Sequence, residues 1–240
     1  SQNGSEWIEV GTATADDLND EYYFGIFAAS NEEYKISEFT LSGFTFDRTP
    51  SLTVGMTAEY AWAAEAIDSL ARLGIVNGEI DAAGNVGYYA YRNVTRAEFT
   101  KMILQAYKLK NPNSATYDSV PNFIDVPAYS SVWYVPYITE AYTYALVKGT
   151  SDITFEPDRE ITREEMAAMV SAALRNQTDY SEYNITFADK EDISDWAVPY
   201  VGEVQKQGIM QGDQNNMFYP LNLANRAEAA MVVYNYLNTK

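Results

Sequence analysis

A pattern of roughly 60 residues occurs three times between Pro50 and the end of the 240-residue chain. Each copy has a Trp, then a short stretch that ends in glycine (GIVNG, ALVKG or GIMQG), and then an Arg in front of acidic residues. Tandem units of this size are typical of folds in which one unit cannot bury its own apolar face and neighbouring units complete the core. The repetition therefore limits the possible folds more than any other feature of the chain.

The spacing of the copies divides the chain into four parts. Residues 51–110, 111–176 and 177–240 each hold one copy, and we call them the first, second and third segments. Residues 1–50 have a different character, with aromatic and β-branched stretches such as YYFGIFAAS and YKISEFTLSGFTF. Such stretches favour strands, so residues 1–50 are predicted to be the β-strand-rich tail of a preceding β-sandwich-like module.

Each segment is predicted to form a helix, a glycine-ended turn, a loop and a second helix. The second glycine of each turn (Gly78, Gly149 and Gly212) is expected to stop the first helix with a positive φ. In the second helix, apolar residues recur at i, i+3, i+4, i+7 and i+8, which predicts one buried stripe per helix. The stripes are Phe99, Met102, Ile103, Ala106 and Tyr107; Met166, Met169, Val170, Ala173 and Leu174; and Ala229, Val232, Val233, Tyr236 and Leu237. Three equal stripes predict a mainly α fold, with the second helices bundled around a pseudo-threefold axis and grooves between segments.

The amino-acid composition excludes several kinds of binding partner and catalytic site. The chain has 34 acidic and 16 basic residues and a formal net charge of −18, which disfavours nucleic acid and anionic membranes as partners. It has no Cys and no His, so thiolate or imidazole metal sites and the commonest general base are excluded. No run of about 18 apolar residues is present to insert into a membrane. We therefore expect no enzyme activity, no metal and no cofactor.

The combination of Trp, the double glycine, FEP or FYP, and ITREE resembles the S-layer homology domain, and the resemblance covers about residues 56–240. Three tandem copies are usual in that family. The resemblance implies a three-pronged helical assembly at the extracellular surface of bacteria. It also implies non-covalent anchoring to a secondary cell wall polysaccharide that ends in an N-acetylmannosamine bearing a pyruvate ketal, which is a carboxylate. The first segment departs from the pattern, because it lacks a counterpart of FIDV (residues 123–126) and FADK (residues 187–190).

The three repeated Arg residues occupy an unfavourable place. VTRAE, ITREE and NRAE predict helices that begin with a capping box, and a cation at the first helical position is repelled by the helix dipole. We hypothesise that Arg96, Arg163 and Arg226 each present a guanidinium beside free helix amides, so that together they bind an anionic sugar. The alternative is an Arg that pairs with a neighbouring Asp or Glu. On the first hypothesis, Arg163→Ala weakens polymer binding without lowering thermal stability.

Further candidate ligand-binding residues recur at the glycine-ended turn and at the Trp of each copy of the pattern. Gly78, Gly149 and Gly212, as the resemblance implies, also let a sugar approach the backbone, and the residues before them carry polar side chains: Asn77, Lys148 and Gln211. Lys148 could add a second positive charge. The repeated Trp62, Trp133 and Trp196 either stack on a sugar face or pack at the helix entrance. Asp125 and Asp189 are expected to brace the turn before the first helix.

Two function classes remain open on the sequence. One is a non-catalytic carbohydrate-binding anchor, and the other is a structural S-layer protein whose helices contact neighbouring S-layer subunits. Binding to wall sacculi that depends on pyruvate would support the first class, whereas sheet formation in solution without the polymer would support the second.

Overall fold

The computed structural model describes residues 52–53, 56–81, 84, 86–116, 121–127, 131–174 and 184–239. The chain divides near residue 46, and all described residues belong to the unit Asp47–Lys240. The predicted β-rich tail at residues 1–50 lies outside the described residues.

The described part of the chain is mainly helical, as the sequence predicts. Each segment has a short helix and a longer one: α1 (Ala64–Arg72) and α2 (Arg96–Lys110), α3 (Val135–Thr143) and α4 (Arg163–Leu174), and α5 (Val198–Lys206) and α6 (Arg226–Asn238). Two 3₁₀ helices, Ala58–Ala63 and Lys190–Asp192, come before α1 and α5. A small antiparallel hairpin, β1 (Glu79–Ile80) and β2 (Val86–Gly87), pairs Ile80 with Val86. No helix among these residues is long and apolar enough to cross a bilayer.

The long helices begin with the predicted capping boxes. The Glu98 amide donates to Thr95 Oγ1 and the Thr95 amide donates back to Glu98 Oε2, at 3.2 and 2.8 Å. Asn225 and Glu228 make the same reciprocal pair in α6, so Asn replaces Thr at that N-cap without loss of the box. Local sequence thus fixes where each long helix starts.

The predicted apolar stripes are the core of the molecule. Most of their members are less than 8% exposed, with Phe99, Ile103, Met166, Val170 and Val233 fully buried. Helix α2 packs against both α4 and α6, and each short helix packs on the long helix of another segment: α3 on α2, α5 on α4, and α1 on α6. Each segment therefore depends on another segment to cover its long helix.

The first helices do not end where the sequence analysis expected. In the turns that follow these helices, positive φ is found at Gly74 (71°), Ala145 (54°) and Gly208 (68°), which are the first residues of GIVNG, ALVKG and GIMQG. Their amide groups donate back to the preceding turn, from Gly74 to Ala71 O, for example, at 2.9 Å. The expectation that Gly78, Gly149 and Gly212 stop these helices with positive φ is therefore wrong.

The second glycines are required by close packing instead. A Cβ on Gly149 would lie 2.5 Å from Thr154 O, and one on Gly212 would lie 2.9 Å from the carbonyl carbon of Asn216. At Gly78, the obstacle is the side chain of Val86 at 2.7 Å. The loop after each turn folds back so tightly that no side chain fits at these positions.

Three buried residues just before the long helices form a closed ring of backbone hydrogen bonds. Val94 donates to Ala224 at 3.0 Å, Ala224 donates to Ile161 at 2.9 Å, and Ile161 donates to Val94 at 3.1 Å. Each residue is fully buried and belongs to a different segment. The ring joins the starts of α2, α4 and α6. Because it consists of backbone hydrogen bonds alone, these helix ends are held together without any contribution from side-chain hydrogen bonds.

Candidate functional site

Each repeated Arg reaches out of its own segment into the loop of another. Its Nε donates to the carbonyl of a buried aromatic residue, and its Nη2 donates to the carbonyl of the polar residue before the second glycine. The acceptors are Phe155 and Lys148 for Arg96 (2.9 and 3.3 Å), Phe218 and Gln211 for Arg163 (2.7 and 3.2 Å), and Tyr88 and Asn77 for Arg226 (2.8 and 3.0 Å). The contacts therefore run from the first segment to the second, the second to the third, and the third to the first.

The guanidinium groups also have carboxylate partners within the protein. Arg96 Nη1 lies 3.2 Å from Glu165 Oε1, Arg163 Nη1 lies 2.7 Å from Glu228 Oε1, and Arg226 Nη1 lies 2.9 Å from Glu79 Oε1. Each guanidinium carbon also lies 4.4–5.0 Å from the centroid of the aromatic ring whose carbonyl it binds. The three side chains are only 4, 12 and 10% exposed. Internal pairing, the alternative considered for these residues, is thus realised at all three positions.

The amides at the starts of the long helices are also used within the protein. The first two amides of each helix donate to carbonyls of another segment: Arg96 and Ala97 to Arg159 and Pro157, Arg163 and Glu164 to Asn222 and Pro220, and Arg226 and Ala227 to Arg92 and Ala90, all at 2.8–3.1 Å. Backbone carbonyls therefore offset the positive end of each helix dipole. The expectation that the first amides of these helices are free to bind an anion is wrong.

The Arg residues and amides at the contacts between segments favour the ionised form of the carboxylates there. Burial alone would raise the pKa of Glu165. Hydrogen bonds from Arg159 and the Thr162 amide, together with the charge of Arg96, outweigh burial and hold that pKa below its usual value. The pKa of Glu98 is lowered in the same way, against burial, by Arg92 and the Thr95 amide. Burial is the main cause of a lowered pKa for Arg96.

The repeated Trp residues point at least partly to solvent. Trp62, Trp133 and Trp196 are 50, 48 and 50% exposed. A Trp that served only to fill the core would be mostly buried, so half of each indole remains accessible to another molecule. The side chains of Asn77, Lys148 and Gln211 belong to exposed residues as well, although their backbone carbonyls are occupied by the Arg residues.

Four of the predicted site residues line one cavity. This space, which we call the groove cavity, has a volume of about 220 Å³ and lies where the three segments meet. The first segment contributes Asn77 and Gly78, the second contributes Trp133, and the third contributes Arg226. The polar and apolar lining is completed by Ile75, Val76, Glu79, Tyr88, Glu98, Lys101 and Met102. The structure thus brings a half-exposed indole and several charged groups together around a space that can hold part of a small ligand.

Lys101 is a lining residue that sequence reasoning missed. Its ammonium lies 5.6 Å from the centroid of the Tyr137 ring, and no ion pair to it is found among the described residues. Alignment of the three copies could have revealed Lys101, which lies five residues after Arg96. The equivalent positions after Arg163 and Arg226 hold the uncharged residues Ala168 and Met231. A charge at one of three equivalent positions marks the groove that differs from the others.

The two predicted bracing aspartates act on the loop rather than on the turn before the first helix. Asp125 accepts the amides of Phe155 and Glu156, and Asp189 accepts those of Phe218 and Tyr219, at 2.6–3.1 Å. Glu156 and Tyr219 have positive φ (57° and 54°), and so does Tyr89 (49°) in the first segment. Tyr88 therefore corresponds to Phe155 and Phe218. The constant step of eight residues from this aromatic to the Arg could have revealed that match.

Comparison with known proteins agrees with the repeated geometry. The model of the S-layer homology domain family matches residues 122–167 and 186–230. An amylopullulanase of Thermoanaerobacterium thermosulfurigenes is 40% identical over 179 residues, which cover 73% of this chain and 9% of that protein. An exoglucanase XynX of Acetivibrio thermocellus is 38% identical over 179 residues, 73% of this chain and 15% of the relative.

A surface-layer 125 kDa protein of Lysinibacillus sphaericus is 29% identical over 157 residues, which cover 65% of this chain and 12% of the relative. The chain thus corresponds to between 9 and 15% of the length of these three relatives. The chain carries two S-layer homology domains, at residues 122–167 and 186–230, and these domains and its S-layer relatives indicate a cell-surface or cell-wall-associated extracellular protein.

Proposed function

We propose that residues 51–240 form a non-catalytic anchoring module of three S-layer homology repeats in a pseudo-threefold arrangement. The third copy would be the first segment, outside the two matched ranges. Three features support it: its Arg96 makes the same contacts as Arg163 and Arg226, its Val94 takes part in the backbone ring, and its α2 begins with the same capping box. A cyclic set of equivalent contacts is what three similar units around one axis would make.

The proposed ligand is an anionic secondary cell wall polysaccharide that carries a pyruvylated N-acetylmannosamine. The charge of the groove cavity is the observation that carries this proposal. Among the lining residues, Arg226 and Lys101 balance Glu79 and Glu98. Arg92 is not a lining residue, but it lies 2.6 Å from Glu79 and 2.5 Å from Glu98, and Arg226 lies 2.9 Å from Glu79. With Arg92 included, three cations and two anions surround the cavity, so its immediate surroundings have one excess positive charge in a chain of net charge −18. A carboxylate would be attracted there and repelled from most of the remaining surface.

Each lining residue then has a distinct role in binding the sugar. The Lys101 ammonium pairs with the ketal carboxylate, and the exposed face of Trp133 stacks on the sugar ring. The Asn77 side chain supplies an amide for hydrogen bonds to hydroxyls. Arg226 contributes mainly by holding the loop of Tyr88 and Asn77 in place, since its own nitrogens already have protein acceptors. Exposed Lys148 is the candidate cation of the groove at the second segment.

Calorimetry with N-acetylmannosamine bearing the pyruvate ketal tests this assignment. Lys101→Ala is expected to weaken binding about tenfold or more, because a charge-assisted contact contributes roughly 1.5–3 kcal/mol. Lys108→Ala is the matched control, since Lys108 lies on the same helix and pairs with Glu140 at the surface. Equal affinity of the Lys101 variant and wild type, or an equal loss in the control, would refute the role of Lys101.

A lattice-forming S-layer protein is the second candidate function. It is favoured by similarity to proteins named as S-layer proteins, including one of Bacillus thuringiensis subsp. finitimus that is 27% identical over 173 residues. Pull-down on purified wall sacculi separates the two functions. Binding that disappears when pyruvate is removed supports the anchor. Binding that persists without the polymer, together with sheet formation in solution, supports the lattice.

A further inference from the structure

A second cavity lies beside the groove cavity in the first segment. It has a volume of about 320 Å³ and is lined by tyrosines from two stretches of chain, Tyr60 from the 3₁₀ helix and Tyr88, Tyr89 and Tyr91 from the loop before α2. We call it the tyrosine pocket. Tyr88 lines both cavities and is itself only 2% exposed, so the two spaces lie near each other with this side chain in the wall of both. A ligand of more than one ring could therefore be long enough to contact both.

The tyrosine pocket lies where the sequence of the first segment offers no aspartate at the bracing position. In the other two segments an aspartate enters this region and accepts two consecutive loop amides, as Asp125 does from Phe155 and Glu156. Asp125 lies eight residues before Trp133 and Asp189 lies seven before Trp196, and the same steps back from Trp62 give Val54 and Gly55, neither of which has a carboxylate. The loop there is also longer and contains the β1–β2 hairpin, whose Val86 and Gly87 form part of the pocket wall. The tyrosine pocket thus lies where the first segment differs from the other two in sequence and loop length.

The lining of the tyrosine pocket fits an uncharged, hydroxyl-bearing ring. Tyr91 is 65% exposed and its ring meets that of Tyr89 edge to face, with centroids 6.4 Å apart. Tyr60 and Tyr89 are half-buried, so three phenol groups remain partly accessible. Aromatic faces favour contact with the apolar face of a sugar ring, and phenol and Thr57 hydroxyls can exchange hydrogen bonds with its hydroxyl groups.

The charge of the tyrosine pocket separates its ligand from that of the groove cavity. Asp81 is the charged residue among those that line it, and neither Lys nor Arg belongs to the described lining. Burial, and next the nearby Asp81 carboxylate, raise the pKa of Tyr89, which agrees with a negative charge beside the phenol. A carboxylate ligand would be repelled here, whereas the Asp81 carboxylate, although already hydrogen-bonded to Tyr89, has further lone pairs that can accept hydrogen bonds from neutral hydroxyls.

We propose that the tyrosine pocket is a subsite for a neutral sugar residue of the same glycan whose anionic residue lies in the groove cavity. This inference rests on the proposed anchoring function and extends it, because the protein would then recognise at least two consecutive sugars. The groove cavity selects the negative charge, and the tyrosine pocket selects the uncharged neighbour. The first segment therefore sets specificity for the sequence of the polymer.

The test compares one sugar with several on the full 240-residue chain. Calorimetry is done with the ketal-bearing N-acetylmannosamine alone and with a trisaccharide released from wall polymer that ends in the same residue. Wild type is expected to bind the trisaccharide more tightly than the monosaccharide. Tyr91→Ala is expected to lower trisaccharide affinity roughly two- to tenfold and to leave monosaccharide affinity unchanged. Tyr91→Phe, which keeps the ring, should retain most of that affinity.

Leu221→Ala is the matched control for Tyr91→Ala. Leu221 lies five residues before Arg226, as Tyr91 lies five before Arg96, and it is 62% exposed. The subsite is refuted if wild type binds both sugars equally, if Tyr91→Ala changes neither affinity, or if it weakens both equally. Failure of the anchoring proposal looks different, because the monosaccharide would then not bind wild type at all. Trisaccharide binding without monosaccharide binding would support the subsite and contradict the assignment of the groove cavity.

Discussion

Arg163 Nη1 lies 2.7 Å from Glu228 Oε1, so the first residue of α4 forms an ion pair with the third residue of α6. Glu228 also accepts the Asn225 amide at 2.9 Å and thereby closes the capping box of its own helix. One carboxylate thus fixes the start of a helix and joins two segments. Glu165 has the same two roles for α4 and Arg96.

Removal of Arg163 should lower stability, contrary to the expectation from sequence. Arg163→Ala leaves Glu228 without its cation and two carbonyls without a donor, and the side chain is only 12% exposed. We expect the free energy of unfolding to fall by about 2–4 kcal/mol in urea titrations. Lys108→Ala breaks the exposed pair with Glu140 and should cost less than about 1 kcal/mol. Similar values for the two variants would contradict the structural role of Arg163.

Replacement of Ala145 by glycine should increase the stability of the protein. It is an exposed Ala with φ of 54° at the position where the other two segments have Gly74 and Gly208. Left-handed backbone costs a residue with a Cβ about 1 kcal/mol, so Ala145→Gly is expected to raise the free energy of unfolding by roughly that amount. Gly208→Ala should do the opposite at an open site with φ of 68°. Thermal unfolding of the two variants and wild type checks both predictions: the melting temperature should rise for Ala145→Gly and fall for Gly208→Ala.

Acid should weaken the junctions between segments. The pKa of Glu165 in the folded protein lies below its ordinary value of 4.5. The unfolded chain therefore binds the proton more readily, and the stabilisation from ionised Glu165 is complete above about pH 4.5 and is lost as pH falls through the lower folded pKa. Melting temperatures of wild type should drop in this acidic range, and Glu165→Gln should reduce the drop. Glu191→Gln, at an exposed residue, controls for the loss of one negative charge.

The three Trp residues provide an internal comparison of the grooves. They occupy equivalent positions and are almost equally exposed, but Trp133 lines the groove cavity that also holds Lys101. Trp133→Ala should weaken binding of the ketal-bearing monosaccharide about tenfold, while Trp62→Ala and Trp196→Ala should have smaller effects. Calorimetry on the three variants measures the differences. Equal losses would indicate that all three grooves bind with similar affinity.

Much of the architecture could be predicted because it depends on local sequence. The capping boxes at Thr95 and Asn225 involve residues three positions apart, and the apolar stripe beginning at Phe99 follows helical periodicity. Local pattern also placed Asn77, Gly78, Trp133 and Arg226 at the candidate site, and all four line one cavity. It misjudged the glycines, because GIVNG contains two of them and only the backbone shows that Gly74 has the positive φ.

The sequence by itself determined the helices, their starts and the repeated set of Trp, Gly and Arg, since these depend on contacts between near neighbours. Only the tertiary structure decided what the Arg residues do. Arg226 finds its acceptor at Tyr88, 138 residues away, and its carboxylate at Glu79. On a chain with 34 acidic residues, the identity of the partner depends on how the segments close on one another. The same closure left Lys101 at the groove cavity without a carboxylate partner among the described residues.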